Sequence, residues 1–174
     1  MRTETAAPTA RHAGIPAAAD VWTEQERISR QLAGWAVASM VAGSTAAVLG
    51  HVRGIPALRA FGGQNAAWGA VDLAIAAFGQ LRRRGRLATI EDPYAQHVQA
   101  DEWRSLRRVL LVNAGLDIGY VAAGAAGVAW SMRRKGPLPA AAGHSAAVIL
   151  QGGFLLVFDT VHARRAPVPG ASTT

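Results

Sequence analysis

The sequence predicts an all-α protein, a four-helix transmembrane bundle, on three observations. The 174 residues are 51% hydrophobic and 17% charged, with positive mean hydropathy. The charges crowd into arginine-rich clusters between apolar stretches of about 20 residues, the length that crosses a bilayer as a helix. Within three of those stretches the few polar residues recur at helical spacing, so each places them on one face. The stretch that defines the architecture runs from Val109 to Trp130 and carries Asp117 near its middle, between Arg107-Arg108 and Arg133-Arg134-Lys135. A carboxylate there is expensive unless its face turns toward other helices or water.

Charge and composition narrow the classes. A net charge of +7 and a pI near 11.4 would suggest nucleic acid as partner of a soluble chain. Here the arginines flank apolar runs, where the positive-inside rule places them, so no nucleic acid is expected. The absence of cysteine excludes disulfides, thiolate nucleophiles and cysteine-ligated metals. No P-loop, Rossmann glycine motif, His-Glu-x-x-His or Gly-x-Ser-x-Gly occurs, so a soluble enzyme class has no support.

In chain order, residues 1–19 are rich in Ala, Thr and Pro without apolar period, and predict a disordered tail rather than a signal peptide. A single membrane domain is expected over 20–165, followed by a disordered tail at 166–174. Thr23-Glu-Gln-Glu26 reads as a capping box opening a short interfacial helix that bears Trp22, Ile28 and Leu32. The first span, about 32–50, is uncharged and repeats small residues at Gly34, Ala38, Ala42, Ala46 and Gly50, a pattern that lets helices approach closely. Gly54 and Pro56 break the chain before the second span, about 60–81.

The second span holds Gln64 and places Asn65, Trp68 and Asp72 on one face, then stops at Arg82-Arg-Arg-Gly-Arg86. Asp92-Pro93 predicts the start of a cytoplasmic helical loop, rimmed by Arg104, Arg107 and Arg108 for anionic headgroups. The third span, about 109–131, aligns Asn113, Asp117, Tyr120 and Gly124, with Gly115, Gly119, Ala123 and Gly127 behind them. The fourth, about 138–161, carries His144, Gln151 and Asp159. Gln64 and Asp72 have the same spacing as Gln151 and Asp159, which suggests a duplicated two-helix unit, a transporter habit. Arginines concentrate before span one, between spans two and three, and after span four, so both termini are expected in the cytoplasm.

Counting depths from the predicted span ends brings Asp72, Asp117 and Gln151 together near the midplane. Asn113, Asp159 and His162 fall nearer the cytoplasm, and Gln64, Asn65, His51 and His144 nearer the outside. Two neighbouring carboxylates cannot both ionise cheaply, so a proton is shared between them and the pair can pass protons on. The candidate ligand- or proton-binding residues are Asp72, Asp117, Asn113, Tyr120, Gln151, Asn65, Gln64 and Asp159. Paired aspartates also suit an intramembrane protease, but Gly115-Leu-Asp117 is neither of the two signatures such enzymes carry. His51 and His144 are the residues that would grip a haem as a cofactor between helices. No metal-binding motif is present.

The blocks Gln64-Asn-Ala-Ala-Trp-Gly-Ala-Val-Asp72, Asn113-Ala-Gly-Leu-Asp-Ile-Gly-Tyr120 and Gly143 through Asp159 resemble an uncharacterised bacterial family of small four-helix integral membrane proteins. The resemblance covers roughly 32–163, and implies the fold and a bacterial cytoplasmic (inner) membrane location, with no activity attached. Two functions follow from the residues. The first is a polar, acidic intramembrane site that binds or conducts a proton, ion or small polar ligand. The alternative is a non-catalytic assembly or accessory subunit, a homo-oligomer or the companion of a membrane partner protein, whose polar residues only lock helix packing.

Overall fold

The structure, a computed structural model, describes residues 20–133 and 138–167. All secondary structure among them is helical: α1 (Val21–Val52), α2 (Pro56–Thr89), α3 (Gln96–Met132) and α4 (Ala140–Arg165). The expected tail at 1–19, residues 168–174 of the expected tail at 166–174, and Arg134-Lys135 lie outside the described residues.

Local chemistry sets the helix ends, with two departures from expectation. The cap of α1 is Asp20, whose carboxylate accepts from the backbone N–H of Trp22 and Thr23 and from the Thr23 hydroxyl. Thr23 is therefore a donor to the cap rather than the cap itself, and Glu26 is free to pair with Arg83 at 3.1 Å. Among the described residues no separate interfacial helix precedes the first span: α1 is continuous from Val21, because nothing between Trp22 and Leu32 breaks the helical pattern. The loop helix is likewise the first part of α3, starting at Gln96 rather than at Asp92-Pro93, where Asp92 instead turns the chain by accepting from the Tyr94 N–H. The α1–α2 turn is as expected. Gly54 takes φ +64°, its N–H donates to His51 O and that of Ile55 to Gly50 O, a Schellman closure, and Pro56 opens α2.

Glycines bring the helices into contact. A side chain at Gly43 would stand 2.6 Å from the Ala66 nitrogen, one at Gly69 2.7 Å from the Ala36 carbonyl. Thus α1 and α2 pair antiparallel along their length. Gly124 against Ser145 and Ile149, and Gly152 against Tyr120 and Val121, pair α3 with α4 in the same way. Gly143 seats α4 on Ala57 and Phe61 of α2, so these two helices run parallel. The buried face of α1 carries Leu32, Ala36, Ser39, Gly43 and Gly50, of which only Gly50 belongs to the expected every-fourth stripe. That stripe drifts about 40° per step at 3.6 residues per turn, which takes Gly34, Ala38 and Ala42 out to the surface.

At the cytoplasmic end of the predicted topology, Val21 and Trp22 are buried with Trp103 and Ala166. The Trp22 indole donates to Pro93 O at 2.9 Å and the Val21 N–H to Gln99 Oε1 at 3.0 Å. Trp22 is thus a core residue of the packed end, not an interfacial one, and the packed body reaches Ala166. Elsewhere the distribution is inverted relative to a soluble bundle. Asn65, Asp72, Asp117, Gln151, Asp159 and His162 are buried, while Val41, Phe78, Val112, Leu116 and Ile118 are exposed. Three helices, α1, α3 and α4, are long and apolar enough to cross a membrane. α2 falls short because Gln64, Asn65, Asp72 and its arginine-rich end dilute its apolar stretch.

Candidate functional site

Three polar layers lie between the helices. The one around Gln151 is closed. Gln151 on α4 accepts from the Trp35 indole at 2.8 Å and donates to Asn65 Oδ1 at 2.9 Å and Ser39 Oγ at 3.2 Å. Asn65 in turn donates to Phe61 O at 2.9 Å. Both amide hydrogens of Gln151 are thus used, on a side chain 1% exposed. Trp35 also stacks on Phe154 with centroids 3.8 Å apart.

One to two turns along the bundle from it lies a different environment. A cavity of about 360 Å³ is lined by Asp72 of α2, Asn113, Asp117 and Tyr120 of α3, and Asp159 of α4, with Trp68 and Phe158 among its walls. Asp72 is 1% exposed, Asp117 4% and Asp159 6%. Both oxygens of Asp72 and Oδ2 of Asp117 have no hydrogen-bond partner. Asp159 is in hydrogen-bonding reach of Asn113, and the three carboxyl groups are close enough for their charges to interact. A second cavity of about 160 Å³ shares Leu32, Ile75, Asn113, Phe158 and Asp159 with the first and continues toward Gln25, Ser29 and Arg82. The two cavities adjoin at those shared residues as one recess, and the second extends toward the arginine-rich end.

The layers differ from those counted on the sequence. Asp159, not Gln151, joins Asp72 and Asp117, and Asn113 joins them too. The seating of Gly143 on Ala57 fixes the register of α4 against α2, which depth counting from span ends could not supply. Asp72 and Asp159 therefore share one cavity on parallel helices, as a duplicated unit would have it. Gln64 and Gln151 do not match, since Gln64 Oε1 meets His144 Nδ1 at 3.0 Å. His51 is exposed in the last turn of α1, and His144 is exposed and engaged with Gln64. Among the described residues no group of three or more His, Asp or Glu is arranged to hold a metal ion. His162 forms a third layer with Glu24, 2.8 Å from Nδ1, and Gln31, 3.0 Å from Nε2.

Sequence reading missed Ser39, Trp35, Phe158 and the Gln25–Ser29–Arg82 end of the recess. Leu32, Trp35 and Ser39 fall at i, i+3 and i+7, so helical spacing could have grouped them. The side-chain contacts of α1 with α4 could not be read from one sequence.

The fold and its recess define a class: a small helical bundle, apolar outside, with an acidic cavity between its helices. The chain belongs to the family of unknown function DUF6992, which matches residues 31–160. No curated protein and no solved structure matches it.

Proposed function

We propose that the chain is an integral membrane protein of four spans whose acidic cavity binds or conducts a proton, cation or small polar ligand. The observation that carries the reading is Asp72: almost wholly buried, facing a cavity, with neither carboxylate oxygen partnered. A polar group serving only to lock helices is hydrogen-bonded, as Gln151 is, because an unpaired buried group costs several kcal/mol. The apolar exterior and the length of α1, α3 and α4 support the membrane setting, and α2 crosses with them because it pairs with α1 throughout. The arginine distribution supports cytoplasmic termini and a bacterial inner membrane supplies the setting.

One observation favours the assembly reading as a second role. Gly115 and Gly119 have nothing within 4 Å of where a side chain would stand, so this ridge is available to a second copy or partner helix. A crystal structure grown from lipid tests the main reading. An occupied or hydrated cavity at Asp72, Asp117 and Asp159 is expected. A collapsed one, with those carboxyl groups in closed hydrogen bonds to Asn113 and Tyr120, overturns it.

A further inference from the structure

We propose that the ligand of this cavity is a small monovalent organic cation, an alkylammonium or quaternary ammonium compound, taken from the cytoplasmic side. The inference rests on the reading above and adds the chemical class and the side of access.

Three features of the recess select that class. The first is charge. Asp72, Asp117 and Asp159 face the cavity, and none of its lining residues is Lys, Arg or His. Arg82 is the nearest arginine of the recess and lines only its outer part, with Gln25 and Ser29. A bound cation offsets carboxylate charge that the protein itself leaves uncompensated, whereas an anion or a neutral solute does not.

The second is the walls. Trp68 and Tyr120 meet edge to face with centroids 5.6 Å apart and planes at 71°, forming a corner, and Phe158 lines the same space. Aromatic faces arranged around a carboxylate are how ammonium groups are recognised, because the ring quadrupole attracts the cation after it is desolvated. The remaining lining is aliphatic, with Leu32, Ile75 and Leu116. Such walls suit methyl and methylene groups. The carboxyl groups themselves, among the described residues, are not arranged to hold a metal ion.

The third is size and access. About 360 Å³ holds roughly a dozen waters, each taking about 30 Å³, and lies near the lower end of ligand pockets, roughly 300 Å³. A ligand of the size of choline fits within it together with several waters. The second cavity, which shares Asn113, Phe158 and Asp159 with the first and extends to Gln25, Ser29 and Arg82, is the way in.

The experiment uses the full chain in lipid nanodiscs, titrated calorimetrically at constant ionic strength. The probes are choline chloride, n-butylammonium chloride, sodium chloride and 3,3-dimethyl-1-butanol, which has the shape of choline without its charge. Choline or butylammonium is expected to bind at least tenfold more tightly than the neutral alcohol and to displace no bound sodium. Trp68→Leu is expected to weaken choline about tenfold through loss of the cation–π contact, and Asp72→Asn by more. Binding of the alcohol equal to that of choline overturns the organic-cation assignment and leaves a polar-ligand site standing. A response to sodium alone overturns it in favour of an inorganic ion. Binding of none of the probes overturns the assignment whatever the variants do. The broader reading then falls only if the lipid-grown structure shows the cavity collapsed.

Discussion

Replacing Gly43 by alanine is expected to destabilise the bundle far more than the same change at Gly115 or Gly119. At Gly43 the new methyl would stand 2.6 Å from Ala66 N, 2.7 Å from Gly62 O and 3.1 Å from Asn65 C, all backbone atoms that cannot rotate away. Ordinary contact between such atoms is about 3.5 Å, so α1 and α2 must separate by roughly 1 Å, which forfeits a quarter to a half of the dispersion energy across the opened seam. Overpacking of this kind costs about 1–3 kcal/mol, and a backbone-to-backbone clash belongs at the upper end, about 3 kcal/mol. The helix favours alanine over glycine by about 1 kcal/mol, which leaves a net loss of about 2 kcal/mol. At Gly115 and Gly119 the methyl meets nothing within 4 Å, so only the propensity acts and the change is neutral to about 1 kcal/mol stabilising in the monomer. Unfolding in mixed micelles with rising SDS, read by far-UV circular dichroism, measures both. Equal midpoints for Gly43→Ala and Gly119→Ala would refute the assignment of the packing face of α1.

Other substitutions separate lock from site. Gln151→Leu removes three hydrogen bonds and strands the Trp35 indole, a loss of about 2–3 kcal/mol at roughly 0.6–1 kcal/mol per bond, visible in the same unfolding assay. Asp72→Asn loses no hydrogen bond, because Asp72 makes none, so its unfolding midpoint is expected to stay level or rise; a marked fall would mean that the carboxylate is structural. Trp22→Ala opens a cavity beside Trp103 and removes the bond to Pro93, and is expected to cost about 3–5 kcal/mol. Arg86→Met leaves buried Glu102 without the guanidinium that donates to it at 2.9 and 2.5 Å. As Arg86 is itself nearly half exposed, the loss is expected near 1–2 kcal/mol, below the roughly 3–5 kcal/mol of a fully buried pair, with a chemical-denaturation midpoint as its measure.

Periodicity and breakers were enough to read four helices, the turn at Gly54-Pro56 and a polar face on each of α2, α3 and α4. Both depend on local spacing, which one chain displays. Asn113, Asp117 and Tyr120 were aligned for the same reason, since they sit on a single helix, and Asp72 was set level with Asp117 by counting from the span ends. Asp159 was placed a layer away and Gln151 wrongly beside the aspartates, because their depth depends on how Gly143 seats α4 on Ala57 and Phe61 of α2, residues far away in the chain. The role of Gln151 as a lock was equally out of reach, since its partners Trp35 and Ser39 come from α1. Small-residue stripes misled most. In an alanine-rich chain every face has one, and only interhelical packing distinguishes Gly43, which touches α2, from Gly34, which touches nothing within 4 Å.

The central claim, a hydrated acidic recess open to the cytoplasm, is tested most directly by thiol accessibility. The chain contains no cysteine, so Asn113→Cys introduces a single thiol in the wall shared by both cavities, and Val41→Cys a control on the exposed apolar face of α1. A membrane-impermeant trimethylammonium methanethiosulfonate is applied to inside-out and to right-side-out vesicles. The account predicts rapid labelling of Asn113→Cys in inside-out vesicles only, with Val41→Cys unreactive in both. An Asn113→Cys thiol that stays unlabelled from either side, or that reacts only from the outer side, would contradict it.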